Sequence, residues 1–452
     1  MQKDGSEMNR PEEQRPARVV VTPKQAGETL RQKWRWVEPS VWTDRMLTAL
    51  ENGVKGGLWF SLRDKVEDER NLRRAFHRVW RNDGKPGVDG QTVASFEQHL
   101  EVELSKIRQE LQEGSYRAQP VRRVYIEKLG SQEKRPLGIP AVRDRVVQGA
   151  LRNVLEPIFE REFAEHSYGF RPGRSCHGAL RRVEGLLRGG ATWVVDADLK
   201  SYFDTIPHEA LMDRVGERVS DGRVLDLVKM FLCAGVLEQL QGWQPTETGT
   251  PQGAVVSPLL ANLYLNPLDH LMEQAGYAMV RYADDFVILC RSQAEAEAAL
   301  SQVRQWVAGA GLTLHPEKTR IVDATQRGGF DFLGYHFERG MKWPRKKSLQ
   351  KIKETIRGGT KRTNGQSLKT IIAKLNASLR GWFGYFGYAK RNTFERLDQW
   401  VRGRLRNILR KRCKRRGRAC GQDHHRWPNR YFEQHGLYSL VEAARLFRQS
   451  QV

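Results

Sequence analysis

Two short stretches, WVVDADLKSYFD at 193–204 and RYADDFVILC at 281–290, constrain this chain more than any other part of it. Each joins an apolar run to aspartates: Asp196 and Asp198 in the first, Asp284 and Asp285 in the second. The run Phe286-Val287-Ile288-Leu289 reads as a buried strand, short and rich in β-formers. Carboxylates at the mouth of such a strand are costly unless something compensates them. A bare Asp-Asp pair is more often a turn or a helix N-cap, but apolar strand residues directly behind it weigh against that. As sheet neighbours, the two strands would bring their aspartates together although 86 residues separate Asp198 from Asp284. Asp196, two residues before Asp198, would share its face. Like charges raise one another's pKa, so the cluster calls for cations. Mg²⁺ fits, taking oxygen ligands from one or two carboxylates and from substrate phosphates. Two such ions about 3.5–4 Å apart form the clamp for in-line phosphoryl or nucleotidyl transfer.

Charge distribution points to the partner. The net charge is +23, and residues 341–452 hold 29 Lys and Arg against 6 Asp and Glu, which is the whole excess. Such a tail would repel itself without a polyanion, and nucleic acid is the reading it supports. In 397–418, Leu397, Val401, Leu405 and Ile408 line one helical face and arginines the rest. It follows LRGWFGYFGYAKR (379–391), whose interleaved aromatics and cations suit stacking on bases and pairing with phosphates. No stretch reaches the roughly 18 apolar residues of a membrane helix. With a polar N-terminus and five scattered cysteines, the chain reads as cytosolic and reduced.

At 452 residues there is room for two to four domains. Helices are expected over 93–113, 146–160 and 294–311, and a hairpin with a basic tip over 121–140. A glycine-proline loop at 249 leads into an apolar helix, and strands are expected over 312–322 and 330–337.

With these residues in view, the chain resembles reverse transcriptases encoded by bacterial group II introns. YADD (282–285) is similar to their Tyr-x-Asp-Asp box, and DLKSYFD (198–204) to their first palm motif. GTPQGAVVSPLLANLYLNPLD, GLTLHPEKT, FLGYHF, GKPGVDG, SYGFRPGRSCHGAL and LRGWFGYF resemble further blocks, in order over roughly 35–440. The resemblance implies an α+β right-hand polymerase, fingers and palm with an antiparallel palm sheet, then an α-helical thumb or maturase domain. The divisions expected are a disordered 1–33, an N-terminal extension of the fingers 34–92, fingers 93–190, palm 191–340 and basic thumb 341–452. It implies RNA-directed DNA polymerase activity, copying intron RNA by two-metal nucleotidyl transfer, with assistance to splicing and retromobility.

By matching position, Asp198, Asp284 and Asp285 are implied as catalytic, holding two Mg²⁺ (Mn²⁺ as substitute) with the Leu199 carbonyl. Lys128, Arg135, Phe203 and Gln252 are implied at the nucleotide, Phe203 selecting deoxyribose. Arg171, Lys318, Leu333 and Gly334 are implied at primer or template, and Arg380, Trp382, Arg402, Arg406 and Arg410 at RNA. The implied partners are group II intron RNA, an RNA template with DNA primer, dNTPs and target DNA. A monomer or dimer, in the bacterial cytoplasm and nucleoid-associated when on DNA, is expected, with no membrane role and no C-terminal endonuclease domain. Two alternatives stand beside it: mainly an RNA-binding splicing cofactor, or a reverse transcriptase recruited to host defence. Ala254 and Ser201 stand where many relatives carry glycine. Cys413, Cys420, His424 and His425 have no standard zinc spacing.

Overall fold

Both aspartate strands lie side by side in one antiparallel sheet. The computed structural model describes residues 30–127, 134–238 and 242–449. Its strands are β1 (Val121–Glu127), β2 (Lys134–Ile139), β3 (Trp193–Asp198), β4 (Val236–Glu238), β5 (Gly242–Gln244), β6 (Ala278–Tyr282), β7 (Asp285–Cys290), β8 (Arg320–Asp323), β9 (Phe330–Phe332), β10 (Tyr335–Glu338) and β11 (Met341–Pro344). They form three sheets, ordered β2-β1-β4-β5, β6-β7-β3-β8 and β11-β10-β9. Among the described residues no helix is long and apolar enough to cross a membrane.

The central sheet β6-β7-β3-β8 is buried on both faces, so its strands read as continuous apolar runs. Side chains alternate between the two faces. Val195, Ala197, Phe286, Ile288 and Cys290 enter one core, with the helices Ser257–Gln274 and Gln293–Gly309 and the N-terminal helices. Val194, Val287 and Leu289 enter a second core, with the helix Cys176–Arg188 and the C-terminal helices. Register pairs Val194 with Leu289, Asp196 with Val287 and Asp198 with Asp285. The face that turns toward the C-terminal helices thus changes from apolar to acidic along its length.

Several expectations are revised. The expected 312–322 strand is β8 alone; before it, Leu314 makes only an isolated bridge to Leu199. The 330–337 strand breaks at Leu333-Gly334, whose φ of 47° and 78° give the two-residue turn joining β9 to β10. The 93–113 helix is interrupted at His99. Residues 30–33 are already helical, and the rest of the segment expected to be disordered lies outside the described residues. The third sheet runs on to Pro344, so the helical C-terminal part starts at Lys346, not 341.

One polar stripe positions the aspartate hairpin. In the otherwise apolar helix Ser257–Gln274, Asn262, Asn266 and Asp269 are buried at i, i+4 and i+7 and so share one face. Asn266 accepts from the Ala164 N–H and donates to the Glu162 carbonyl, while Asn262 donates to the Gly169 carbonyl at 2.7 Å. Asp269 holds the fully buried Arg281 through both carboxylate oxygens. Arg281 also donates to Asn262 Oδ1 and to the Ala283 carbonyl, both at 2.9 Å. Removing one partner of a buried pair leaves an uncompensated charge, which costs about 3–5 kcal/mol. Arg281→Leu or Asp269→Leu should therefore lower the unfolding free energy by an amount in that range, measured by denaturant melts. The double Leu variant should lose less than the sum of the two.

Candidate active site

The tip of the β6–β7 hairpin is Ala283-Asp284. Ala283 has φ 60°, the left-handed value usually left to glycine at the first position of a type II′ turn, and Asp284 is not left-handed. Strain of this kind persists where the surroundings over-determine it. Here Arg281 grips the Ala283 carbonyl from within, and Gly169 packs against the tip from outside. A Cβ on Gly169 would come within 2.3 Å of the Ala283 nitrogen, so only glycine allows this approach.

Asp198, Asp284 and Asp285 are brought to one end of the sheet, with Asp196 behind them. Burial pushes the Asp285 carboxyl up to about 7, reinforced by Asp196, Asp284 and Asp198 and opposed by the Leu333 N–H. Asp284 is likewise raised by burial and by Asp198, against Arg135 and Arg281. Burial raises Asp196 to about 6 despite its partner Arg320, 3.3 Å away. Lys318 Nζ sits 2.5 Å from Asp198 Oδ2.

The group fits a divalent cation. It offers hard oxygens, its acids repel one another, and a cationic side chain already sits on one of them. Among the described residues no three His, Cys, Asp or Glu side chains close around an ion by themselves. Leu199 lies in the bridge to Leu314, whose hydrogen bonds are made by its neighbours Lys200 and Asp198. Its own carbonyl points away from that ladder.

Around the carboxylates, Arg135 on β2 donates to Gln252 Oε1 at 3.0 Å, bringing two of the expected nucleotide residues together. The loop holding Gln252 is stitched to β2 by the Gly138 N–H on the Gln252 carbonyl. Gly253, at φ 108°, approaches so closely that a Cβ would lie 2.3 Å from the Gly138 oxygen. Phe203 is 8 % exposed and packs mainly in the core. Lys128 lies outside the described residues.

Other expected residues are placed differently. Arg171 points inward, its guanidinium on Glu160 and on the Ala164 and Ser167 carbonyls, so it locks the SYGFRP loop and does not face a template. Lys318 rests on Asp198 rather than standing free as a primer contact. Leu333 and Gly334 form the β9–β10 turn beside Asp285. Of the expected RNA contacts, Arg406 is 2 % exposed and donates to the Trp427 carbonyl and Asn429. Arg410 pairs with Asp423, and Arg402 lies mostly buried near Asp398. Arg406 and Arg410 are drawn into packing against the segment that follows their helix, while Arg402 lies beside Asp398 one turn back on its own helix. Arg380 is exposed over the Tyr438 ring, and Trp382 is half-buried beside Phe386.

Arg281, Asp269, Asn262 and Gly169 escaped the sequence reading. The available signal was polar residues at helical spacing inside an apolar run, and an arginine inside an apolar strand.

A raised carboxyl pKa binds more protons folded than unfolded, so stability falls as pH rises through the range up to the folded value. For Asp196 and Asp285 that window runs from about 4 to about 7. The metal-free protein should lose stability from pH 5 to 8 more than Asp285→Asn does. Added Mg²⁺ should restore wild type most at the high end, read from melting midpoints.

Comparison with known proteins agrees with this geometry. Residues 126–337 match the family described as reverse transcriptase (RNA-dependent DNA polymerase), and 349–429 match the group II intron, maturase-specific domain. Protein YkfC of Escherichia coli (strain K12) is 38% identical over 295 residues, 56% of this chain and 76% of that protein. The group II intron-encoded protein LtrA of Lactococcus lactis subsp. cremoris is 43% identical over 202 residues, 44% of this chain and 33% of LtrA. The chain thus spans about a third of LtrA. A chain of a solved partial Cas6-RT-Cas1–Cas2 complex shows a slight likeness, with 23% identity, a TM-score of 0.35, and 55% of this chain and 42% of that one covered. The palm strands, their aspartates and both family matches lead to one conclusion: the chain belongs to the group II intron-encoded reverse transcriptases, RNA-directed DNA polymerases that carry a maturase-specific domain.

Proposed function

We propose that this chain copies group II intron RNA into DNA from a DNA primer, using dNTPs, and that it binds the same RNA to assist splicing and movement of the intron into target DNA. The observation that carries the reading is the antiparallel register placing Asp198 opposite Asp285, with Asp284 at the adjoining tip, within the field of Arg135, which in turn bonds Gln252. Asp198 and Asp284, with the Leu199 carbonyl, are the residues that would hold Mg²⁺, or Mn²⁺ in its place. When bound, the two ions supply the Lewis acidity for activating a primer 3′-hydroxyl and stabilising the leaving pyrophosphate. Asp285 acts mainly as a support, anchoring the Leu333 turn.

Arg135 offers a planar fork for the triphosphate, and Gln252 orients that fork. Lys128, seven residues before Arg135 in the sequence, adds a point charge in this reading. The rim of Phe203 lies against the sugar and excludes a 2′-hydroxyl. Lys318 must leave Asp198 when a cation arrives, which frees its ammonium for phosphate. The division into an N-terminal extension, fingers, palm and thumb follows the same reading, with the thumb's helical part opening at Lys346. The chain acts in the bacterial cytoplasm and on the nucleoid. A role chiefly as RNA-binding cofactor is favoured by one observation, the tail with 29 basic and 6 acidic residues. The two roles are compatible in one chain.

Primer extension on an RNA template with Mg²⁺ tests the reading. Asp284→Ala should abolish extension while intron RNA binding, followed by filter retention, persists. Normal extension by that variant would remove the assignment. Phe203→Val should raise ribonucleotide incorporation, measured against dNTP in single-turnover assays. It should also cost about 1 kcal/mol or more of stability, because the ring is a core residue. Unchanged sugar discrimination would leave Phe203 a packing residue only.

A further inference from the structure

The residues that flank the Ala283-Asp284 tip, Tyr282 and Asp285, face each other in the β6–β7 register. Arg281 holds the tip from the side of the helix Ser257–Gln274. Tyr282 turns the other way, toward the core that Leu333 and Tyr385 also pack against. That side has its own hold, and it runs through Cys176. Tyr282 and Tyr385 both hydrogen-bond the Cys176 side chain. The Tyr385 hydroxyl donates to the Leu333 carbonyl at 2.7 Å, and the Leu333 N–H donates to Asp285.

The number of protons fixes the sense of each bond. A tyrosine hydroxyl has one to give, and Tyr385 gives it to Leu333, so Tyr385 accepts the Cys176 S–H. The Cys176 sulfur then accepts from the Tyr282 hydroxyl. From Tyr282 through Cys176 and Tyr385 to Leu333, every bond runs donor to acceptor in one direction. Leu333, at φ 47°, has both backbone groups committed: its carbonyl to the Tyr385 branch and its N–H to Asp285. Because Tyr282 and Asp285 are register partners, the circuit is closed.

Cys176 is itself fixed. It is the first residue of the helix Cys176–Arg188, whose N-cap Ser175 accepts from the Gly178 N–H at 3.1 Å. His177 Nε2 meets the Tyr385 carbonyl at 2.9 Å, and Glu184 of the same helix pairs with Lys342 at 2.6 Å. The thiol is therefore held at a set position between the tip and the helix Leu368–Phe386.

We propose that Cys176 is a positioning residue for nucleotidyl transfer: its thiol closes a circuit of hydrogen bonds that ties the Tyr282–Asp285 tip to the Leu333 turn and the helix Leu368–Phe386, and so sets where Asp284 presents its carboxylate. In this role the thiol touches neither substrate nor metal. The inference rests on Asp284 carrying the chemistry, and the test separates the two.

Cys176→Ser keeps a donor and an acceptor in nearly the same place, whereas Cys176→Ala removes both. The assay is single-turnover primer extension by the full chain with Mg²⁺. Cys176→Ala should lose about tenfold in maximal rate, equivalent to about 1.4 kcal/mol, near the upper end of what one hydrogen bond contributes net. Its half-saturating dNTP concentration should not change, since Arg135 and Gln252 keep their contact. Cys176→Ser should match wild type. A second arm changes no residue. Methyl methanethiosulfonate turns the thiol into a methyl disulfide, the thiolate displacing methanesulfinate, and this removes the S–H donor. The reagent should slow wild type, and dithiothreitol should restore the rate. Cys176→Ser, which retains the other four cysteines, should not respond. Alanine and serine variants both at the wild-type rate, or both slowed with a matching fall in melting midpoint, would mark a packing residue and overturn the proposal. Asp284→Ala is the separate control. Extension by that variant would remove the catalytic assignment and this inference with it, whereas an inactive Asp284→Ala beside a fully active Cys176→Ala would overturn the inference alone.

Discussion

Repulsion among carboxylates at the end of one sheet sets the terms for the rest of the molecule. Asp198 and Asp285 face each other across a strand pair, Asp196 lies behind and Asp284 beside them, and most of this group is shielded from water. Such a cluster pushes its own hairpin apart unless it is held, and the anchor for the hold comes from outside the sheet. Asp269 of the helix Ser257–Gln274 fixes Arg281 of β6 in the core, and Arg281 reaches the strained Ala283 carbonyl. The polar stripe Asn262-Asn266-Asp269 then ties the same helix to the 162–169 segment, and Gly169 closes on the tip. The SYGFRP motif is therefore a brace. Its arginine points away from the cleft because its role is to keep the loop that carries Gly169 in shape.

The acidic face also looks toward the C-terminal helices. Val194, Val287 and Leu289, which share that face, belong to the same core as Leu379, Phe383 and Phe386. Asp285 accepts from the Leu333 N–H, Leu333 in turn receives the Tyr385 hydroxyl, and Tyr335 donates to the Tyr385 carbonyl. His177 Nε2 meets that same carbonyl at 2.9 Å, from the helix that follows the SYGFRP loop. The aspartate hairpin, the β9–β10 turn and the helix Leu368–Phe386 are thus joined by short polar contacts across a common core. Movement of that helix would be felt at Leu333 before it reached any aspartate.

The sequence made part of this legible. An apolar strand ending in acids is a local pattern, so β3 and β7 could be read directly, and the β1–β2 hairpin likewise. Leu333-Gly334 was harder: leucine is a poor residue for φ 47°, so turn chemistry gave no warning that the strand would break there. The bracing residues were harder again. Arg281 and Asp269 are twelve apart in sequence, and nothing local says that the arginine of AMVRY is buried and not exposed. The tail arginines show the same limit. A helical projection separates apolar from basic positions, but only tertiary packing decides that Arg406 meets the Trp427 carbonyl.

That last point changes what the +23 charge means. Arg404, Arg406 and Arg410 spend their donors on Thr360, Trp427, Asn429, Asp423 and Arg416, holding the turns that follow the helices Lys346–Gly359 and Arg391–Arg412. An arginine bound to neutral carbonyls keeps its charge. Arg404 and Arg406 therefore still add to the long-range field that draws a polyanion in, although their donors are committed within the protein. Among the described residues, Arg345, Lys347 and Lys351 are exposed and paired with no carboxylate, so their charged groups are open to contact. The field of the tail and its footprint on a bound strand are set by different residues. Net charge steers association, and the slope of binding against salt counts only phosphates that are actually neutralised.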